Sequence, residues 1–353
     1  MRAATDADAR GKVRWSEAEP LPGREFLPYA GIAQPDRRTT WVAGSVMDEN
    51  GFTPTLVAHD SDGWRDVPLP ELPAGTNAQL NDLDVASPGD AVMVGDYVAG
   101  LGGYLTEHWD GTSWRASVAP APAGIVGGSL LDVEVIAPDD VWAVGFSQIA
   151  TGTMDDLFDT VIRHWDGTSW QVVDAPKVPG GTALFSLTAV SATELYAVGR
   201  TWADLQSTVM RYDGTSWTVV DLPPHGAANN ELRSVAARGP GDVWAVGGSR
   251  DDQGATHALA LHYDGTAWTE QRLPPGTDIL DQVALTPDGI ATIGNGDTAP
   301  FGLRLAHGRW TSLDIPTDPT LTVNELTIAN GHITIAAVRA TTTLSGVILT
   351  AKL

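Results

Sequence analysis

Short apolar runs recur along this chain at a fixed period, each broken by a turn signal. In the clearest copy, Leu130 to Ala137 is aliphatic, with Val133 and Val135 alternating against polar neighbours, and predicts a strand. Pro138-Asp139-Asp140 predicts a tight turn, because Pro presets φ and Asp bonds its own local backbone. Val141 to Phe146 is a second strand, Thr160 to Trp165 a third, and Asp166-Gly167 a hairpin turn. Trp170 to Asp174 is a fourth, and Pro176 ends it, since proline donates nothing to a ladder. We name these strands A to D.

The same phrase returns seven times. Trp64, Trp114, Trp170, Trp217, Trp268 and Trp310 close six copies, 42 to 56 residues apart. That spacing and four short strands per copy predict an all-β, seven-bladed propeller with four antiparallel strands per blade. The seventh copy offers only Val323 to Ala329, Ile333 to Val338 and Gly346 to Thr350. Its missing strand is expected at the opposite terminus, where residues 13–20 carry Trp15 and Pro20. Residues 13–353 then form one propeller domain, and residues 1–12 a flexible extension.

The copies Asp140-Val141-Trp142-Ala143-Val144-Gly145 and Trp165-Asp166-Gly167-Thr168-Ser169-Trp170 resemble the DVWAVG/WDGTSW repeat proteins of high-GC bacteria. The resemblance covers almost the whole chain and extends only loosely to kelch, WD40 and Asp-box propellers. The kelch glycine pair is absent, and Ser61-Asp62-Gly63-Trp64 matches the Asp-box imperfectly. The resemblance implies a fold, not an activity, because propellers host unrelated functions.

The repeat accounts for most conspicuous residues. His59, His108, His164 and His262 recur before the C–D turn on different blades, so no shared metal centre is expected. Asp110, Asp166, Asp213 and Asp264 are turn residues, and Trp142 and Trp244 are expected to pack one blade on the next. The A–B and C–D turns barely vary. Variation falls in the D–A and B–C connections, which emerge on one face, and function concentrates on variable loops of a rigid scaffold.

Aligned strands A place Tyr29, Asp82, Asp132, Ser186, Ser234, Gln282 and Glu325 in one column, preceded by Pro28, Asn81, Leu131, Phe185, Arg233, Asp281 and Asn324. The first column is expected as a ring at the channel mouth. Asp82, Asp132 and Glu325 are candidate oxygen ligands for Ca²⁺ or Mg²⁺, or coupled carboxylates sharing a proton. No other cofactor is indicated. Tyr29, Asn81, Asp82, Asp132, Arg200, Trp202, Arg233 and Glu325 are the candidate ligand-binding set. His225 and His257, which have no repeat equivalent, join Asp82 and Asp132 as candidate acid–base groups.

The formal net charge of -23 disfavours nucleic acid and anionic membranes as partners. With no cysteine, disulfides and thiolate chemistry are excluded. Residues 1–10 hold no apolar core of signal-peptide length, so a cytoplasmic monomer is expected, or a secreted one if a leader was removed. Gly-x-Ser-x-Gly, His-Glu-x-x-His and P-loop signatures are missing. Three readings remain: one asymmetric site for a small molecule, peptide or glycan; a lyase, isomerase or cyclase; or a protein-interaction scaffold.

Overall fold

The computed structural model describes residues 13–17, 26–48, 51–73, 76–98, 102–120, 124–149, 158–227, 229–342 and 344–353. These form seven four-stranded antiparallel sheets, each ordered A-B-C-D. Six sheets are built from consecutive strands. The seventh takes its outermost strand, Trp15–Glu17, from the N-terminal end, where Trp15 pairs with Ala351 and Glu17 with Leu349. The A strands neighbour one another in sequence order, and that of blade 7 (Leu321–Ala329) meets that of blade 1 (Phe26–Ala33), closing the ring. The expected extension at residues 1–12 lies outside the described residues.

Alternation along each strand sends alternate side chains to the two neighbouring blades. Val144 and Leu184 pack in one inter-blade cluster, and Val92 and Val133 in another. Trp142 lies 4.8 Å from Tyr212 and 5.9 Å from Trp217 of blade 4, and Trp244 packs with Leu280 and Val283 of blade 6. The tryptophans of the repeat are thus inter-blade filler.

The turn-bearing face is fixed by one recurring arrangement. Asp140 Oδ1 accepts the Trp142 indole N–H at 2.9 Å and lies 2.8 Å from His164 Nε2, while the two rings stack. Asp242, Trp244 and His262 repeat it, and Asp90 holds His108. Blade 4 substitutes Glu194, Tyr196 and Arg211: the carboxylate accepts from both the phenol and the guanidinium. In the C–D turns of blades 2 to 5, Asp110, Asp166, Asp213 and Asp264 each accept two backbone N–H groups and a threonine hydroxyl.

Two features depart from the expected strands. Strand A of blade 3 starts at Ile125, five residues early, because Gly127 and Gly128 allow close approach: a Cβ on Gly128 would lie 2.8 Å from Tyr104 Oη. In addition, strands A of blades 2 to 5 and 7 carry a β-bulge at one shared position, leaving Asn81, Leu131, Phe185, Arg233 and Asn324 out of register. A bulge frees a side chain from the ladder and re-aims it.

The terminal strand is tied to its blade by more than backbone pairing. Trp15 Nε1 donates to Leu313 O at 2.8 Å, and Arg339 grips both oxygens of Glu17 at 2.6 and 3.0 Å. Deletion of residues 1–20 exposes the edge of Leu344–Lys352 and is expected to lower the melting temperature of the whole ring by about 5 °C or more. An unchanged calorimetric transition would show that closure contributes nothing.

Candidate functional site

Strand A is the edge of its sheet, so its N–H groups facing the channel have no ladder partner. The acidic column supplies one from the preceding blade. Asp82 Oδ2 accepts from Val133 N at 2.8 Å, Asp132 Oδ2 from Leu187 N at 2.8 Å, Ser186 Oγ from Val235 N at 3.2 Å and Ser234 Oγ from Val283 N at 3.1 Å. A second rung runs from Asp84 Oδ2 to Val135 N, 2.7 Å, and from Glu134 to the Ala189 N–H. At the next junction Gln282 bridges Ser234 and Glu325. Between blades 1 and 2 the approach is closer still: a Cβ on Gly31, whose φ is +145°, would lie 2.7 Å from Leu83 N. Tyr29 lies in this column, but its side chain is outside the described residues.

These carboxyls are expensive to ionise. Burial pushes Asp82 well above the usual carboxylate range, and the charge of Asp132 adds to it. Asp132 is also raised by burial, opposed by hydrogen bonds from Asp82 and Ser186. The charge of each carboxyl thus bears on the ionisation of the other. Burial raises Asp84 to about 6, against the N–H groups of Val135 and Val85. Glu134 and Glu325 are raised well above their ordinary value, by burial first and neighbouring carboxylates second.

The Ca²⁺ or Mg²⁺ expectation needs correction. Among the described residues no group of three or more His, Asp or Glu side chains is placed to hold a metal ion, and Asp82, Asp132 and Glu325 do not form one. An oxygen of Asp82 and one of Asp132 are already committed to backbone, and burial disfavours the ionised carboxylates that a cation needs.

The bulge column lies beside the clefts of the loop face. Asn81 donates to Asp96 Oδ1 (3.1 Å), Ser129 Oγ (2.6 Å) and Leu130 O (2.8 Å), and lines a cleft of about 390 Å³ with Tyr97, Gly128, Leu131, Phe146 and Gln148. Arg233 is bonded to Glu231 and Asp281. Glu231 also accepts from Arg200 at 2.8 Å, and Arg200 lies over the Trp202 ring, 4.6 Å from its centroid. Trp202 stacks on Phe158 at 4.3 Å, and Phe158 meets Phe146 edge-on at 5.5 Å. One continuous series of contacts thus crosses blades 3 to 6. It unites three predicted residues, Arg200, Trp202 and Arg233. Glu231 was missed, although its place two residues before Arg233 at the start of strand A was a usable signal.

The histidines do not join the acidic pair. His225 donates Nδ1–H to Pro223 O at 2.6 Å, and Gly226 beside it is bonded to Glu270 at the end of blade 5's outer strand. His257 is exposed and lies 2.9 Å from Asp251 Oδ2. Neither has a described contact with Asp82 or Asp132, so the structure brings together no histidine–carboxylate couple at the channel.

A further acid escaped the sequence reading. Glu107 is fully buried, neither oxygen has a hydrogen-bond partner among the described residues, and burial raises it to about 8. It occupies a column filled by Ala58, Arg163, Met210 and Leu261 in blades 1, 3, 4 and 5, mostly apolar, which was the available signal.

Comparison with known proteins places the fold and no more. No protein-family model and no curated protein matches the chain. Among solved structures it is similar to YCF48 bound to D1 peptide, at TM-score 0.56 and 14% identity, over 99% of this chain and 97% of that one. It is also similar to the Aleuria aurantia lectin in complex with Fucα1-6GlcNAc, at TM-score 0.50 and 14% identity, over 82% of this chain and 96% of that one. That lectin is a six-bladed propeller, which suits the smaller share of this seven-bladed chain.

Raised and lowered carboxyls act on stability in opposite directions. A carboxyl held above its unfolded pKa contributes stability that is full below that value and is lost as pH rises through the folded one. Asp84 loses its share between 3.8 and about 6, and Glu107 between 4.5 and about 8. The turn aspartates are lowered by the Thr hydroxyl first, Asp213 and Asp264 to about 2, so their share is present above 3.8 and lost toward that pH. The melting temperature is therefore expected to peak near about pH 4–5 and to fall toward pH 8. Glu107→Gln should raise it at pH 8 and leave it nearly unchanged at pH 5. Equal effects at both pH values would refute the buried-acid assignment.

Proposed function

We propose that this chain is a binding propeller holding one small molecule, peptide or glycan on its D–A/B–C face. The observation that carries this reading is the contrast between the two faces. On the turn face the Asp, His and Trp groups bond or stack on one another. On the loop face, open clefts lie at three blade boundaries, with unlike linings. One carries Asn81, Tyr97, Phe146 and Gln148, another Arg200, Arg233 and Arg250, and a third Asn295, Asp297 and Pro319. Concave sites with aromatic walls and a few fixed polar groups suit ligand binding. A repeated sugar site would show like linings, so the differences favour a single extended ligand. The similar structures that hold a peptide and a fucosylated sugar are compatible with either class.

The enzyme reading draws less support, because Asp82 and Asp132 are each bonded to backbone and neither His225 nor His257 has a described contact with them. A scaffold reading is favoured by one feature, a groove of about 730 Å³ along Val67 to Pro73 at the rim of blade 1.

Peptide and glycan arrays probed with the labelled intact protein test the proposal. Capture should weaken ten-fold or more in Trp202→Ala and Leu131→Gln, both on the loop face, and persist in Thr168→Ala on the opposite face. Capture that survives both loop-face changes, or arrays that return no ligand of either class, would sink the reading.

A further inference from the structure

The cleft between blades 4, 5 and 6 is a positive island in an acidic protein. The chain carries a formal net charge of -23, yet this space of about 390 Å³ is lined by Arg200, Arg233 and Arg250 against one acid, Glu231. Three cations less one anion leave a formal +2 at the lining, which Asp281 behind Arg233 reduces to +1.

The three guanidiniums are not equivalent. Arg233 is gripped by two carboxylates: its Nε donates to Glu231 Oε1 at 2.7 Å, and Asp281 takes Nη1. It forms the fixed base of the cleft. Glu231 spends its other oxygen on Arg200 Nη1. Arg200 Nε is buried with no acceptor among the described residues, although Trp202 and Phe158 stacked behind hold the group in place. Arg250 is exposed, and none of its donors has a described partner. The cleft thus presents guanidinium donors of Arg200 and Arg250 with Glu231 as the one acid in its lining. A planar carboxylate matches the guanidinium fork with two parallel hydrogen bonds. The residual charge of about +1 suits a monoanion better than a phosphate dianion, and Leu205 and Ile279 offer an apolar wall beside it.

We propose that Arg200 and Arg250, braced by Arg233 and Glu231, form a subsite for the carboxylate of a ligand that carries a ring or apolar group next to it. The proposal rests on the binding reading above and assigns one chemical group within it.

Ligand-observed NMR titration of the intact protein tests it, with N-acetylphenylalanine against N-acetylphenylalaninamide, glucuronate against glucose, and phenyl phosphate as the dianion. The free acid should bind at least ten-fold more tightly than its amide. Arg250→Gln, at an exposed site outside the packed core, should abolish that preference. Arg309→Gln, exposed on the turn face, should leave it intact. Glucuronate binding with loss in Arg250→Gln would support the subsite with a sugar acid as its source; binding of N-acetylphenylalanine alone would support it with a peptide carboxylate. Equal affinity for acid and amide, tighter binding of phenyl phosphate, retention of the preference in Arg250→Gln, or no binding of either acid would overturn it. Array capture that depends on Trp202 and Leu131 but not on Arg250 would leave the binding reading standing while this assignment fell.

Discussion

Each blade leaves an inner edge that its own sheet cannot satisfy, and the preceding blade satisfies part of it. The hydrogen bonds that Asp82 accepts from Val133 N–H, Asp132 from Leu187, Ser186 from Val235 and Ser234 from Val283 are one interaction repeated from blade 2 to blade 6. Packing between blades is apolar and tolerates small slips, since dispersion is not directional. A backbone hydrogen bond is directional, so it fixes the height of one blade against the next. The closing strand at Trp15–Glu17 and the bulged loop face both depend on blades held at a common level.

The price of using carboxylates for this task is visible in their protonation. Serine makes the same bond in blades 4 and 5 without a charge. Where Asp82, Asp84, Asp132, Glu134 and Glu325 crowd one channel, burial, reinforced at Asp82, Asp84, Glu134 and Glu325 by neighbouring carboxylates, raises the pH at which each loses its proton.

The fold was legible in the sequence because the repeat over-determines it: each Trp-Asp-Gly turn and each closing tryptophan reports the same register. The missing fourth strand of blade 7 was legible for the same reason, as a gap with one matching fragment. The columns along strand A were also legible, but their roles were not. Asp82 and Asp132 looked like ligands because a one-dimensional pattern cannot show an unpaired edge on the neighbouring blade. Asn81 and Arg233 sit beside clefts because a bulge re-aims them, and that bulge has no signature in residue type: its positions read Asn, Leu, Phe, Arg and Asn. Arg200 and Trp202 stood out as lapses in the repeat, whereas Glu231 and Glu107 were hidden inside strands that otherwise obeyed it.

From blade 2 to blade 6 the rungs all point one way, each blade accepting a backbone N–H of the next along the chain. The ring is therefore a head-to-tail assembly of like units, in which every junction pairs two different surfaces of the same building block. Such a contact has no inherent end; only the angle turned per blade decides when the last unit meets the first. A blade duplicated within the chain arrives with its acceptor side chain and its waiting N–H already in place, so growth by copying demands no new interface, whereas a blade inserted in reverse would meet its neighbours with two acceptors on one side and two bare edges on the other.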